Sequence, residues 1–281
     1  MELTSNLTFA LSATITVVLF ALLNIKWLNF KKIWQRVISQ LLVQVLLLAS
    51  VGLYLNNQFS FYSSWSDLFG LSTSTNQNIA PKTIDLSRAQ YTKNGSAVIK
   101  EVFTGKKSRL TEQVWFLIPK HVVTAIENGS SQKFPAVVFL SGSPGVPTAW
   151  LHGLNLDDQI QHAKKVTKLK DFVAILPQFN VIPHKDTGCM NIPDGPQVED
   201  WLIKDVYQYA IGNLPIETSN WGITGYSTGG WCAAMLALKH PEIFKAAAPI
   251  AGYYRVQTPF KLSSQVRKTL KSEYDLVSLS M

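Results

Sequence analysis

The run Trp221-Gly222-Ile223-Thr224-Gly225-Tyr226-Ser227-Thr228-Gly229-Gly230-Trp231-Cys232-Ala233-Ala234-Met235-Leu236-Ala237-Leu238 joins a strand-like segment, a glycine-flanked serine and a helix-favouring apolar segment. Strand, G-x-S-x-G, helix is the pattern of a nucleophile elbow, which lifts a serine hydroxyl clear of a sheet edge. The glycines at 225 and 229 have a steric reason to be there. The turn brings neighbouring chain so close that a Cβ at either would collide, and it holds the serine backbone in a strained conformation. Ser227 then sits at a helix N-terminus, whose free N–H groups favour developing negative charge.

Outward from this stretch, the chain alternates strand and helix signals. Ala97 to Phe103 and Gln113 to Ile118 read as strands joined by a turn at Gly105-Lys106-Lys107-Ser108. Pro135 to Leu140 and Phe172 to Leu176 are short continuous apolar runs, as expected of strands covered on both faces. Leu154 to Lys168 and Gln197 to Ile211 have the spacing of amphipathic helices, and Ala246 to Ala251 reads as a further strand. A hairpin followed by β-α units describes an α/β fold with a mostly parallel sheet.

The N-terminal part has a different chemistry. The 281-residue chain is 47% hydrophobic and 16% charged, and the apolar excess is concentrated near its start. Leu7 to Ile25 and Val37 to Leu55 are each long enough to cross a hydrocarbon core of about 30 Å. Lys26, Lys31, Lys32 and Arg36 lie between them with no acid, so the positive-inside rule places this loop in the cytoplasm and both flanks outside. Cleavage after the second run, near Ala49-Ser50-Val51-Gly52, is the competing reading. Gln40 and Gln44, one turn apart, are expected to hydrogen-bond to the first span. The net charge of +8 comes without a basic stripe or a nucleic-acid motif, so nucleic acid is not expected as a partner; a lipid bilayer is. The organisation is therefore an anchor over residues 1–56, a polar linker over 57–88 with Phe59, Phe61, Tyr62 and Trp65 at the outer membrane surface, and a catalytic-type domain over 89–281.

A serine nucleophile needs oxyanion donors, a base and a residue that orients the base. The elbow itself supplies the Thr228 N–H, and the loop Ser141-Gly142-Ser143-Pro144-Gly145 after the buried strand supplies the second donor from Gly142 or Ser143. Cys189 and Cys232 are too few for a disulfide scaffold or a cysteine zinc cage. Outside the membrane they can form one bond that pins a loop beside the site; the alternative is two buried thiols.

These features together resemble the putative-esterase branch of the α/β-hydrolases, which includes esterase D and the mycolyltransferases. The matching residues are Ala136 to Gly145, Asp186 to Asn191, Gly225 to Cys232, and His240-Pro241-Glu242-Ile243-Phe244 leading to Gly252. The resemblance implies an acyl-enzyme on Ser227, ester hydrolysis or transfer to another hydroxyl, and no metal or organic cofactor. Acyl esters are the implied substrates, with an envelope glycolipid or a sugar as acceptor. One departure stands out. The family's acid and histidine follow the serine on later loops, whereas here the only later histidine is His240, too far along the same helix to reach Ser227. The expectation is a hydrolase-type sheet truncated after the strand that follows the nucleophile helix, with room for one helix near Ser263 to Lys271 and an exposed sheet edge near Ile250. His184 and His152 are the candidates for a substitute base, and the rival expectation is an inactive binding or scaffold module at the membrane.

Overall fold

The computed structural model describes residues 6–25, 30, 32–59, 65–69, 84–182, 185–257 and 262–280. The chain divides into two compact units, Met1–Ser72 and Thr73–Met281.

The first unit is a helical hairpin of α1 (Asn6–Ile25) and α2 (Ile33–Phe59), followed by the single turn α3 (Trp65–Leu68). Both long helices are long and apolar enough to cross a membrane. Their contact is made by small hydroxyl side chains. Ser50 lies 2.7 Å from Ser12 and 3.2 Å from Thr16, hydroxyl to hydroxyl, and Phe9 packs against Tyr54. On α2 the covered positions include Ser39, Val43, Leu46, Ser50, Leu53 and Asn56. Gln40 and Gln44 are exposed, contrary to the expectation that they bond to α1. One-turn spacing puts two residues on a shared face but does not say which neighbour that face meets, and the serines permit the closer approach.

The second unit is built on a seven-stranded sheet in the order β1-β2-β3-β5-β4-β6-β7. The strands are β1 (Gln90–Tyr91), β2 (Ala97–Thr104), β3 (Thr111–Ile118), β4 (Ala136–Leu140), β5 (Val173–Pro177), β6 (Trp221–Tyr226) and β7 (Phe244–Ile250). The first three strands run antiparallel, and β5, β4, β6 and β7 are mutually parallel, the mixed sheet that the residue pattern implied. The helices are α4 (Lys120–Glu127), α5 (Leu156–Val166), α6 (Val198–Asp200), α7 (Tyr207–Asn213), α8 (Thr228–Lys239), α9 (Ser264–Tyr274) and α10 (Leu276–Leu279). A π-helical segment, Trp201–Val206, makes α6 and α7 continuous.

Apolar residues fill both faces of the sheet. Leu156 and Ile160 of α5 join Leu117, Phe139, Phe172 and Leu176 in the smaller core. The larger core gathers Trp201, Trp221 and Trp231 with Phe116, Ile175 and Met235. Every residue of β5 is buried, as its unbroken apolar run requires. The β2–β3 turn is held from across the molecule: the Asp205 carboxylate accepts the backbone N–H groups of Lys107 at 2.9 Å and Ser108 at 2.8 Å. Among the described residues no strand pairs with the outer edge of β7, where residues 245–250 are all exposed. α9 starts at Ser263, whose hydroxyl accepts the Val266 N–H, and it buries Leu270 and Tyr274.

Candidate active site

The site forms where β4 and β6 end side by side. Ser227 follows β6 with φ 55° and ψ −121°, a conformation L-residues rarely adopt, and is the N-cap of α8. Its own N–H donates to the Ile250 carbonyl at 3.0 Å, which ties the turn to the end of β7. The flanking glycines are required by contact. A Cβ on Gly225 would lie 2.4 Å from the Gly229 carbonyl oxygen, and one on Gly229 would lie 2.3 Å from the Leu140 carbonyl oxygen. Helix α8 thus starts pressed against the chain that leaves β4. The Ser227 side chain is exposed and has no hydrogen-bond partner among the described residues.

The loop after β4 lies against the serine. A Cβ built on Gly142 would be 3.3 Å from the Ser227 Cβ and 3.0 Å from the Tyr226 ring. Thr228 is buried as the first residue of α8, with its N–H ahead of the helix ladder. Gly142 and Thr228 are therefore brought to the serine, with Ser143 next in the same loop. Asn180 fixes that loop, donating its amide to the carbonyls of Gly142 at 2.9 Å and Gly145 at 2.8 Å. Burial raises the Tyr226 pKa, partly offset by a backbone hydrogen bond from Gly142, so the phenol is neutral.

On the other side of the elbow, Asp186 receives the Thr228 hydroxyl at 2.5 Å, the Gly188 N–H at 2.7 Å and, more loosely, the Tyr253 hydroxyl at 3.5 Å. Burial, and after it the Asp186 charge, pushes the Tyr253 pKa well above the ordinary tyrosine value. Trp231 donates its indole N–H to the Gly188 carbonyl at 3.0 Å and stacks on Tyr253. The Cys189 and Cys232 sulfurs are bonded, with Cα atoms 5.7 Å apart, inside the span a disulfide bridges without backbone movement. Loop 186–191 is thus attached to the first turns of α8 by a covalent bond and two side-chain hydrogen bonds. Neither the Asn180 staple nor the Asp186–Thr228 bond belongs to a local motif. Each links segments tens of residues apart, so only the fold exposes them.

The histidines are distributed otherwise. His240 caps the far end of α8, where Nε2 lies 2.7 Å from Glu199 and Nδ1 lies 3.2 Å from Glu242. The Glu199 carboxylate also receives Lys239 at 2.9 Å and the Tyr274 hydroxyl at 2.6 Å. Burial alone would raise its pKa, but the hydrogen bonds from His240, Tyr274 and Lys239 outweigh it and hold Glu199 at about 2. His152 lies on the π-turn Ala149–Gly153 that follows the oxyanion-type loop, two residues beyond Trp150, which packs against Tyr226. The surrounding protein lowers the His152 pKa through desolvation, and no hydrogen bond joins it to Ser227. His184 lies outside the described residues. Among the described residues, no three His, Cys, Asp or Glu side chains gather as a metal site.

Comparison with known proteins agrees with this fold. No curated protein matches the chain. Among solved structures, a ferulic acid esterase aligns at 15% identity with a TM-score of 0.50 over 66% of each chain, so the alignment spans just under two thirds of that enzyme. The Staphylococcus aureus fluorophosphonate-binding serine hydrolase FphF aligns at 16% identity with a TM-score of 0.51, over 66% of this chain and 72% of that one. The S-formylglutathione hydrolase FrmB of the same organism aligns at 16% identity with a TM-score of 0.50 over the same shares. At these identities the likeness establishes the fold. The family itself follows from the sequence model named Putative esterase, which matches residues 113–268, more than half of the chain. With its serine on a strained turn between β6 and α8, the chain belongs to the putative esterase family of α/β-hydrolases.

Proposed function

We propose that this chain is a membrane-anchored serine esterase or acyltransferase that works outside the membrane through an acyl-enzyme on Ser227. The observation that carries the reading is the backbone of Ser227, held at φ 55° at the N-terminus of α8 with the Gly142 loop against it. Strain of this kind persists only where the surroundings enforce it, and here glycine contacts on two strands do so. In the reaction, the Ser227 hydroxyl adds to the acyl carbonyl, its proton passes to a base and the alcohol leaves. Water or a second hydroxyl then takes the acyl group. The N–H groups of Thr228 and of Gly142 or Ser143 face the developing oxyanion. His152, on the turn that follows the Gly142 loop and two residues beyond Trp150, which packs on Tyr226, is the described histidine we assign to accept the proton. The apolar helices α1 and α2 and the basic residues between them support an anchor with the second unit outside. That address favours acyl esters of envelope lipids, with a glycolipid or sugar hydroxyl as acceptor.

A second reading has its own observation. The Ser227 hydroxyl has no partner among the described residues, and His240 is engaged by Glu199 at the opposite end of α8. This favours an inactive module that keeps the elbow and serves a binding role at the membrane. One experiment separates the two: label membranes containing the full chain with a fluorophosphonate, beside Ser227→Ala. The enzyme reading expects labelling of the native chain and none of the variant. Equal signal from both removes the catalytic claim.

A further inference from the structure

We infer that α2 carries a self-association seam, and that the partner it fits is α2 of a second copy of this chain, packed in parallel. The inference rests on the membrane-anchor reading. Helix α2 has two unlike stripes, both with a seven-residue repeat. Ser39, Val43, Leu46, Ser50 and Leu53 recur at spacings of four and three and are covered, bonded to α1 through Ser50. Val37, Gln40, Gln44, Leu47 and Val51 recur at spacings of three and four and are exposed. Among the described residues Gln40 and Gln44 make no hydrogen bond.

Their depth makes this open stripe informative. The candidate span runs Ile33–Asn57, so Gln44 sits beside its midpoint and Gln40 about 6 Å nearer the start. A primary amide at that depth has no water to bond, and its short side chain cannot reach either interface. The amide therefore needs a partner helix. Sustained three–four spacing is the repeat of a left-handed helix pair, in which the residues of the stripe meet their counterparts. A carboxamide carries both a donor and an acceptor, so parallel two-fold packing lets Gln44 bond to Gln44 of the other copy, and Gln40 likewise. Among the described residues a single copy satisfies neither amide, because its own hairpin partner occupies the other stripe.

The test uses the full chain in native membranes. Its two cysteines are bonded to each other, so an added thiol reports alone. Leu47→Cys lies in the proposed seam, and Leu42→Cys is an exposed control off it. Mild oxidation should cross-link Leu47→Cys into a species of twice the chain mass and leave Leu42→Cys monomeric. Adding Gln44→Leu to Leu47→Cys should weaken the association about tenfold, whereas Gln44→Asn should retain most of it. Carbonate extraction run in parallel reports whether the chain is integral. An integral chain with equal or no cross-linking at the two positions, or a cross-link to a protein of different mass, overturns the seam while leaving the anchor standing. Extraction of the chain by carbonate overturns the anchor first.

Discussion

The two ends of α8 hold the same kinds of residue to opposite effect. At its N-terminus, Ser227 is exposed with an unengaged hydroxyl, and the nearby carboxylate of Asp186 faces Thr228 and Tyr253. At its C-terminus, about 18 Å away, a histidine, a carboxylate, a lysine and a tyrosine saturate one another around buried Glu199. A serine and a carboxylate-paired histidine thus cap opposite ends of one helix, too far apart to exchange a proton. The serine end leaves its hydroxyl open among the described residues. The histidine end is a clamp that brings α9, through Tyr274, onto the end of α8 and the start of α6.

Crossing the two ends gives the largest expected effect. Ser227→Ala should abolish fluorophosphonate labelling and leave the melting temperature nearly unchanged. His240→Ala should do the reverse, keeping the labelling rate within about twofold while costing roughly 1.5–3 kcal/mol for a hydrogen bond to a charged partner. A His240→Ala chain that is stable but no longer labels would erase the distinction between the ends.

The next effect belongs to the serine end. Cys189 and Cys232 close a loop with a sequence separation of 43 residues. Replacing both by serine should cost about 4 kcal/mol on the chain-entropy account, read as a shift in the urea midpoint. The labelling rate should fall with it, because loop 186–191 loses its covalent hold on α8. An unchanged midpoint would mean that Trp231 and Thr228 hold the loop unaided.

The histidine end sets the acid sensitivity. Glu199 is held at about 2 against an ordinary 4.5, so its ionised form is favoured in the folded chain. That stabilisation is complete above pH 4.5, declines as the pH falls and is gone below about 2. It amounts to roughly 3 kcal/mol. Unfolding titrations of the second unit's signal at pH 5 and pH 3 should show the loss, and Glu199→Gln should flatten the slope across that window. A slope unaffected by Glu199→Gln would place the acid sensitivity elsewhere.

The smallest effect tests the oxyanion-type loop. Asn180→Ala removes two hydrogen bonds to the Gly142 and Gly145 carbonyls, at a cost of about 1–2 kcal/mol. Labelling should slow more than the stability change alone explains, since the donors lose their setting. Asn180→Asp, which cannot donate when ionised, should behave like the alanine variant.

How much of this was readable in advance depends on the range of the interactions. The elbow was legible because its requirements are local: glycines two positions either side of Ser227, a strand before and a helix after. The buried strands β4 and β5 were legible as unbroken apolar runs. α4 was missed, being eight residues long with Pro119 at its N-cap and no side-chain capping bond to signal it. The π-turn at Ala149–Gly153 carries no periodic signal, and the amphipathic spacing that starts at Leu154 becomes α5 only from Leu156. Asn180, Asp186 and Glu199 act on segments that sequence spacing does not bring together. The glutamines of α2 were placed on one face correctly and assigned to the wrong neighbour, because hydroxyl contacts at Ser12 and Ser50 decide the hairpin.

The open edge of β7 bears on how the protein behaves in bulk. Pro249 has no N–H to offer, and its carbonyl receives the Tyr254 hydroxyl at 3.4 Å, so the ladder is interrupted near the strand's end. What remains is a short length led by the charged Lys245, a poor template for a foreign strand. Preparations should therefore stay clear as they are concentrated, and turbidity that rises with concentration would show this edge pairing between copies.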